Sequence, residues 1–343
     1  MTEIEIVVII AVLAALVFDF INGFHDAANS VATIVSTRVM RPGTAVLWAA
    51  FFNFVAMFIF APKVADTISK IVIIDAGDSA YIYVAISGLV GAIVWNILTW
   101  FWGLPTSSSH ALIGGLAGAG VAHAGTGALH WDKLGKAVLF IPLAPMIGAA
   151  IGILLMISVY WMFRRWRPGV VDKFFRKGQF FSAAVYSLGH GGNDAQKTMG
   201  IIVFLLIAAG KMNPDTQLSL SNPKTLWIIL SCHLAMGLGT ALGGWRIVET
   251  MGMKITKLKP VGGFCAEGAG AITLFLATYA GIPVSTTHTI TGAIVGVGST
   301  SGSSAVKWGV AGRIVWAWIF TIPASAAIAA ACMILTTFLH SGF

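Results

Sequence analysis

Two copies of one polar pattern carry the groups in this chain that are best suited to bind an anion. Residues 103–120 read GLPTSSSHALIGGLAGAG and residues 281–298 read GIPVSTTHTITGAIVGVG, so the copies lie 178 residues apart. In each copy a proline precedes three hydroxyl side chains, which are Ser107, Ser108 and Ser109 in the first copy and Ser285, Thr286 and Thr287 in the second. The repetition indicates two related halves.

The two prolines, Pro105 and Pro283, favour the start of a helix, because the first turn needs no N–H at that position. The hydroxyl triplets then lie at or near the first turn, where unpaired backbone N–H groups and the helix dipole favour an anion. Hydroxyl groups donate without the desolvation cost of a buried cation. We therefore predict that both triplets bind an anionic substrate. A second interpretation is that they only cap the helices or donate to backbone carbonyls.

A second repeated pattern places one acid in each half. Residues 23–33 read GFHDAANSVAT and residues 191–200 read GGNDAQKTMG, which overlays Asp26 on Asp194 at an offset of 168 residues. Because a charge within an apolar segment costs on the order of a few kcal/mol, we predict that these acids hold a cation, a proton or a metal–substrate complex. Amide oxygens suited to a hard cation are offered nearby by Asn22, Asn29, Asn193 and Gln196. The alternative is that Asp and Asn beside glycine end a helix.

Two positions in the acid motifs differ between the halves. Lys197 lies where the first half has Asn29, and it either pairs with Asp194, three residues earlier, or contacts the anion directly. His25 lies where the second half has Asn193, and it is a candidate carrier of a coupled proton.

Four other polar residues in apolar stretches leave two interpretations open. His110 and His288 follow the triplets, and each can donate to an anion or carry a proton, or be a neutral packing residue. Asp19 and Glu267 have no clear counterparts in the repeat, so structural pairing and a functional role both remain possible for them.

Composition places these polar residues in a very apolar chain. Of the 343 residues, 57% are hydrophobic and 10% are charged, and the mean hydropathy is +0.87. Because soluble proteins carry about 25% charged residues, an integral membrane protein is indicated.

The three cysteines are scattered, which argues against a disulfide framework or a zinc site. The net charge of +8 indicates basic loops rather than nucleic-acid binding, and nucleophile-elbow, HExxH and P-loop motifs of enzymes are missing from the sequence.

Ten apolar stretches position the motifs, at about residues 4–37, 43–61, 80–102, 104–122, 137–163, 180–209, 225–243, 262–280, 283–298 and 313–339. Most are long enough to span about 30 Å of hydrocarbon as helices. The fourth and ninth are short, rich in glycine and next to a proline, which predicts half-helices or hairpins. We predict a first membrane repeat at 1–163, a basic cytoplasmic connector at 164–179 and a second membrane repeat at 180–343.

Positive charge predicts the orientation of these stretches. With the N-terminus outside and one crossing per stretch, most loop Lys and Arg residues lie inside, among them Arg38, Arg41 and those of 164–179, whereas Lys63 and Lys70 lie outside. Five crossings per half make the second half enter the membrane from the opposite side. This predicts inverted-topology repeats with both termini outside and a substrate site near the midplane.

These motifs resemble the inorganic phosphate transporter family, PiT, in which each inverted half carries a G-x-N-D-like signature. The two copies here read GFHDAAN at 23–29 and GGNDAQK at 191–197. The segments WNILTWFWGLPTSSSH at 95–110 and HGGNDAQK at 190–197 are similar to the bacterial low-affinity branch. The resemblance covers nearly the whole chain.

The resemblance implies two helical hairpins and symport of phosphate with a cation. It implies that both hydroxyl triplets are hairpin tips facing phosphate, and that the signature residues are Asp26, Asn29, Asn193 and Asp194. Many relatives use sodium, whereas the bacterial branch is similar to proton-driven carriers that take phosphate as a neutral metal complex. His25 and Lys197, in place of two asparagines of the family, argue against a sodium site.

We therefore predict an all-α polytopic membrane protein with two inverted-topology repeats, broken helices and two re-entrant helical hairpins. Its predicted function is symport of inorganic phosphate, alone or as a metal complex, driven by a proton or sodium gradient across a bacterial-type inner membrane. Asp26 and Asp194 are the predicted metal ligands, and Lys197 joins the triplets as a substrate ligand. Membrane lipid and a second copy in a homodimer are predicted partners, and no cofactor is predicted. The alternatives are a sulfate permease of the same family and an anion channel, against which the intramembrane acids argue.

Overall fold

The computed structural model describes residues 2–68, 71–73 and 80–341. This part is mostly helical, with an isolated antiparallel bridge between Val72 and Leu129. Its α-helices are α1 (Glu3–Ser36), α2 (Pro42–Val55), α3 (Lys63–Ile68), α4 (Ala80–Trp102), α5 (Ser108–Ala124), α6 (Trp131–Phe163), α7 (Pro168–Ala208), α8 (Pro223–Leu242), α9 (Trp245–Glu249), α10 (Pro260–Tyr279), α11 (Thr286–Ser299) and α12 (Trp308–Ser341). Residue 1, Lys70 and residues 342–343, which the sequence predictions include, lie outside the described residues.

Local sequence signals mark the starts of several helices. Thr2 Oγ1 accepts a hydrogen bond from the Glu5 backbone N–H at 3.3 Å, and the Glu5 carboxylate accepts one from the Thr2 N–H at 3.0 Å, which caps α1. Prolines occupy the first turn of α2, α7, α8 and α10, where an N–H would have no helical partner. These helix starts are therefore specified by the residues beside them.

Six helices in the described part are long and apolar enough to cross a membrane, namely α1, α4, α6, α8, α10 and α12. Large apolar side chains cover their outer faces. On α6, for example, Met146, Leu154 and Trp161 are each more than 60% exposed. Such a surface suits hydrocarbon rather than water. The predicted all-α membrane architecture is therefore confirmed.

Two short helices are each joined to a long one by a turn that carries a hydroxyl triplet. α5 has 17 residues and α11 has 14, and α4 packs against α5 as α10 packs against α11. The turns start at Gly103 and Gly281, whose left-handed φ angles of 65° and 68° would strain any residue with a side chain. Each pair is a helical hairpin with its triplet at the tip.

The last helix of each half packs against the short helix of the other half. α12 contacts α5, and α6 contacts α11. Glycines permit the approach, since a methyl group at Gly114 would lie 2.6 Å from the Ile322 carbonyl oxygen, and one at Gly292 would lie 2.5 Å from the Pro145 Cα. Small residues allow helices to associate closely in a membrane. The two halves are thus interleaved, and their opposed topology stays a prediction.

Helices α1 and α7 pack against each other and run unbroken through the acid motifs. Asp26 lies inside α1 and Asp194 lies inside α7, so the interpretation of these acids as helix-ending caps is wrong. The breaks between helices lie instead at the hairpin tips. Along α1, residues 8–18 contribute to one apolar cluster and residues 28–34 to another. The polar motif therefore lies between two apolar cores.

The predicted connector at 164–179 is mostly helical. α7 starts at Pro168 and continues without interruption to Ala208. On this first part of α7, Arg176 Nε lies 2.9 Å from Asp172 Oδ2, an i,i+4 ion pair that supports the helix. The basic segment therefore extends a long helix instead of forming a separate loop.

Candidate functional site

The residues predicted to bind substrate or cation are all buried. Each of them is at most 3% exposed. They lie on α1 and α7 and at the starts of α5 and α11. Because a buried polar group without a partner is costly, their mutual contacts define the site.

The first hydroxyl of each triplet caps a helix. Ser107 Oγ accepts a hydrogen bond from the His110 backbone N–H at 3.2 Å, and Ser285 Oγ accepts one from the His288 N–H at 3.1 Å. The capping interpretation is therefore right for these two serines. Their role is to fix the starts of α5 and α11.

The second hydroxyl of each triplet contacts the acid of its own half. Ser108 Oγ lies 2.6 Å from Asp26 Oδ2, and Thr286 Oγ1 lies 3.1 Å from Asp194 Oδ2. Ser108 Oγ also lies 2.6 Å from Asn22 Oδ1. A hydroxyl group has one proton, so Ser108 donates to one of these oxygens at a time.

The third hydroxyl of each triplet contacts the other half. Asn29 Nδ2 donates to Thr287 Oγ1 at 3.0 Å and lies 3.2 Å from Thr286 Oγ1. The Lys197 ammonium donates to Ser109 Oγ. Equivalent positions of the two triplets therefore make equivalent kinds of contact. Together these contacts connect α1, α5, α7 and α11.

Each acid also has a basic neighbour. His25 Nδ1 lies 2.7 Å from Asp26 Oδ1, and its Nε2 lies 3.1 Å from Thr99 Oγ1. Lys197 forms an ion pair with Asp194, which was one of its two predicted roles. With both acids ionised, Lys197 cancels one of the two negative charges.

His190, which is not among the predicted site residues, completes a cluster of possible metal ligands. Ligand atoms of Asp26, His190 and Asp194 lie within 4.8 Å of one another, and all three residues are buried. His190 Nε2 lies 3.4 Å from Asp194 Oδ2. The sequence did contain a signal, because the 168-residue offset relates His190 to Asn22. Two carboxylates and an imidazole can hold a divalent metal ion.

Two of the predicted amides do not reach this cluster. Gln196 binds the backbone at the start of α3, where its Oε1 accepts from the Val64 N–H at 2.8 Å and its Nε2 donates to the Ala61 carbonyl at 3.0 Å. Asn193 Nδ2 donates to Thr278 Oγ1 at 3.0 Å. Within the described part, Asn193 Oδ1 has no hydrogen-bond partner. Gln196 therefore has a structural role, which is to connect α7 to the start of α3.

The two triplet histidines pack against each other. The ring centroids of His110 and His288 are 4.8 Å apart in an edge-on arrangement, and His288 stacks on Trp318 at 3.9 Å. His288 Nδ1 lies 3.3 Å from the Ile141 carbonyl oxygen. These contacts favour the packing interpretation.

The remaining buried acids have opposite surroundings. Glu267 accepts hydrogen bonds from Thr33 at 2.6 Å, Gln179 at 2.9 Å and Ser182, which makes it the centre of a polar bridge between α1, α7 and α10. Neither carboxylate oxygen of Asp19 has a well-formed hydrogen bond to a described residue. Structural pairing therefore accounts for Glu267, whereas for Asp19 both interpretations stay open.

Known proteins are similar to this chain in sequence and in fold. The sequence model of the phosphate transporter family matches residues 22–329. A probable low-affinity inorganic phosphate transporter of Rhizobium meliloti is 56% identical over 321 residues, which are 94% of this chain and 94% of that protein. One from Bacillus subtilis is 43% identical over 95% of this chain and 96% of that protein. A solved structure, described as the sodium-dependent phosphate transporter, superposes with a TM-score of 0.87 at 26% identity, over 97% of this chain and 99% of that one.

The family match includes both hydroxyl triplets and both acid motifs. It confirms the resemblance inferred from the motifs and the prediction that the protein is a transporter rather than an enzyme. The chain belongs to the phosphate transporter family.

Proposed function

We propose that this chain is a secondary active symporter that binds inorganic phosphate between the tips of α5 and α11 and carries it together with a cation. The observation that carries the proposal is the convergence of two hydroxyl-rich helix starts on two buried acids. Hydroxyl groups and first-turn N–H groups donate to phosphate oxygens, and the hydroxyls of Ser108, Ser109, Thr286 and Thr287 lie in the first turns of α5 and α11. The Lys197 ammonium adds positive charge beside them.

A cation must accompany phosphate, because the fixed charges of the site do not balance it. Two carboxylates face one ammonium, and phosphate adds further negative charge in a water-poor interior. Asp26, Asp194 and His190 supply the ligands. A divalent metal bound there enters as a complex with phosphate, and a proton or sodium gradient drives the cycle.

The acids also favour phosphate over sulfate. Phosphate keeps at least one O–H group near neutral pH and can donate it to Asp26 or Asp194, whereas sulfate has only acceptor oxygens. A sulfate oxygen that faces a buried carboxylate has no proton to donate. The hydrogen bond is therefore lost, and the two negatively charged groups repel each other. The proposed substrate is therefore phosphate.

Coupling follows from differential affinity. Phosphate neutralised by its cation binds between α5 and α11, whereas either ion alone leaves buried charge uncompensated. The interleaved hairpins then expose the site alternately to the two sides. We place the protein in a bacterial-type inner membrane, with both termini outside, lipid against the exposed apolar faces and a homodimer as the assembly.

Uptake of radiolabelled phosphate into proteoliposomes tests this proposal. Sodium and pH gradients are imposed separately, each with and without a divalent metal. We expect phosphate uptake under at least one gradient, and no uptake under any of them refutes the proposal. Uptake of labelled sulfate together with failure to transport phosphate would identify a sulfate permease instead.

Asp26→Asn is the matching variant. It keeps the shape of the side chain, removes the charge and is expected to abolish uptake without loss of expression. Asp215→Asn, an exposed acid in the loop between α7 and α8, is the control and should transport as wild type does. Wild-type transport by the Asp26 variant would remove its proposed cation role.

A further inference from the structure

At one pair of equivalent positions, the two acid motifs carry residues of different charge. The 168-residue offset between the acid motifs relates Asn29 to Lys197. Each reaches the third hydroxyl of the other half's triplet, Asn29 at Thr287 and Lys197 at Ser109. A neutral amide in one half and a positive charge in the other therefore occupy equivalent places.

The Lys197 ammonium is surrounded by oxygen. It donates to the Asp194 carboxylate, to the Ser109 hydroxyl and, at 3.0 Å, to the Val284 backbone carbonyl. A carboxylate, a hydroxyl and a carbonyl are the kinds of ligand that proteins give to a hard metal cation. The side chain is 1% exposed, so solvent does not share in this coordination.

The ammonium group has no proton left for the substrate in this arrangement. It carries three N–H bonds, and the three oxygens accept all of them. This contrasts with the prediction of Lys197 as a phosphate ligand. Its charge compensates that of Asp194, and its hydrogen bonds to Ser109 and Val284 connect the two hairpin tips.

The first half has the opposite arrangement. Asn29 lies one helical turn after Asp26 on the same face of α1. Among the described residues, Asn29 Oδ1 has no hydrogen-bond partner. An amide oxygen and a carboxylate are therefore available there to a mobile cation.

We infer that Lys197 is a tethered cation whose ammonium fills, in the second half, the place that a mobile cation takes in the first. This inference rests on the proposed symport and determines how many mobile cations accompany phosphate. A chain with a neutral amide at position 197 would bind one more cation than this one does.

Lys197→Asn tests the inference, and Lys197→Gln is the second amide variant. The phosphate Kd of purified protein is measured by calorimetric titration at two sodium concentrations tenfold apart, at constant ionic strength. If each amide variant takes up one additional sodium ion with phosphate, the higher sodium concentration tightens its binding about tenfold more than that of wild type.

Two control variants define the baseline of this titration. Lys197→Met has neither the charge nor an oxygen ligand and gains no sodium response. Lys211→Asn removes an exposed lysine that pairs at 2.8 Å with Glu5 in the first turn of α1, and should respond as wild type. A sodium gain in the methionine variant equal to that of the amides would overturn the inference, because no oxygen ligand would then be needed.

A measurement without phosphate separates this inference from the proposed function. Sodium, compared with choline, is expected to raise the thermal unfolding temperature of both amide variants more than that of wild type. Equal sodium responses overturn the inference, as do amide variants that stay unfolded at every sodium concentration. A wild-type protein that neither binds nor carries phosphate refutes the proposed function, while the sodium-dependent stabilisation still decides the role of Lys197.

Discussion

The ion pair between Asp194 and Lys197 gives the sharpest prediction about how the site is held together. The two side chains are 0% and 1% exposed. Asp194→Asn leaves the ammonium buried without its counter-ion, which costs about 3–5 kcal/mol. Because Ser109 and Val284 still accept two of its hydrogen bonds, we expect a loss near the lower end, about 3 kcal/mol. That value lowers the ratio of folded to unfolded protein roughly a hundredfold.

The double variant Asp194→Asn/Lys197→Met removes both charges and should recover most of this loss, because replacing a whole buried pair is close to neutral. Denaturant unfolding of wild type, both single variants and the double variant in one detergent gives the coupling energy. Asp172→Asn is the control, since its pair with Arg176 is 43–44% exposed and is worth less than about 1 kcal/mol. An Asp194→Asn protein as stable as wild type would refute a charged, paired Lys197.

Three further predictions concern the site and the packing around it. Ser108→Ala removes a hydroxyl that contacts the first acid and should weaken phosphate binding about tenfold, whereas Ser158→Ala, whose hydroxyl donates within its own exposed helix, should not; equal Kd values from calorimetry would contradict this. Gly114→Ala forces a methyl group against α12 and should lower the unfolding free energy by about 1–3 kcal/mol, while Gly43→Ala has open space and should show no loss in the same unfolding assay. His190→Gln should reduce stimulation of uptake by divalent metal at least about tenfold, and an unchanged metal dependence would exclude it as a ligand.

The positions of residues around α7 explain which parts of the acid motif could be predicted and why His190 was not predicted. Asp194 and Lys197 are three residues apart and share a face, as does His190, four residues before the acid. Gln196, two residues after the acid, lies about 200° away around the helix and contacts a different element. Recognising α7 as unbroken would have added His190 and removed Gln196.

The hydroxyl triplets were predictable because their signals are local. A proline, a capping serine and a repeat offset place them at helix starts, where the structure has them. Their partners were not predictable, since Asn29 and Thr287 are 258 residues apart and Lys197 and Ser109 are 88 apart. Which half contacts which triplet depends on how four helices pack, and sequence spacing holds no information about that.

The central claim is that a cation gradient drives phosphate through this site. The most direct test uses proteoliposomes with equal phosphate concentrations inside and outside, so that only an imposed proton or sodium gradient can cause net movement. We predict net inward movement of phosphate under an inward cation gradient, and its collapse when an ionophore dissipates that gradient. Exchange of labelled phosphate without net movement under either gradient would contradict the account, because the protein would then carry phosphate without coupling it to a cation.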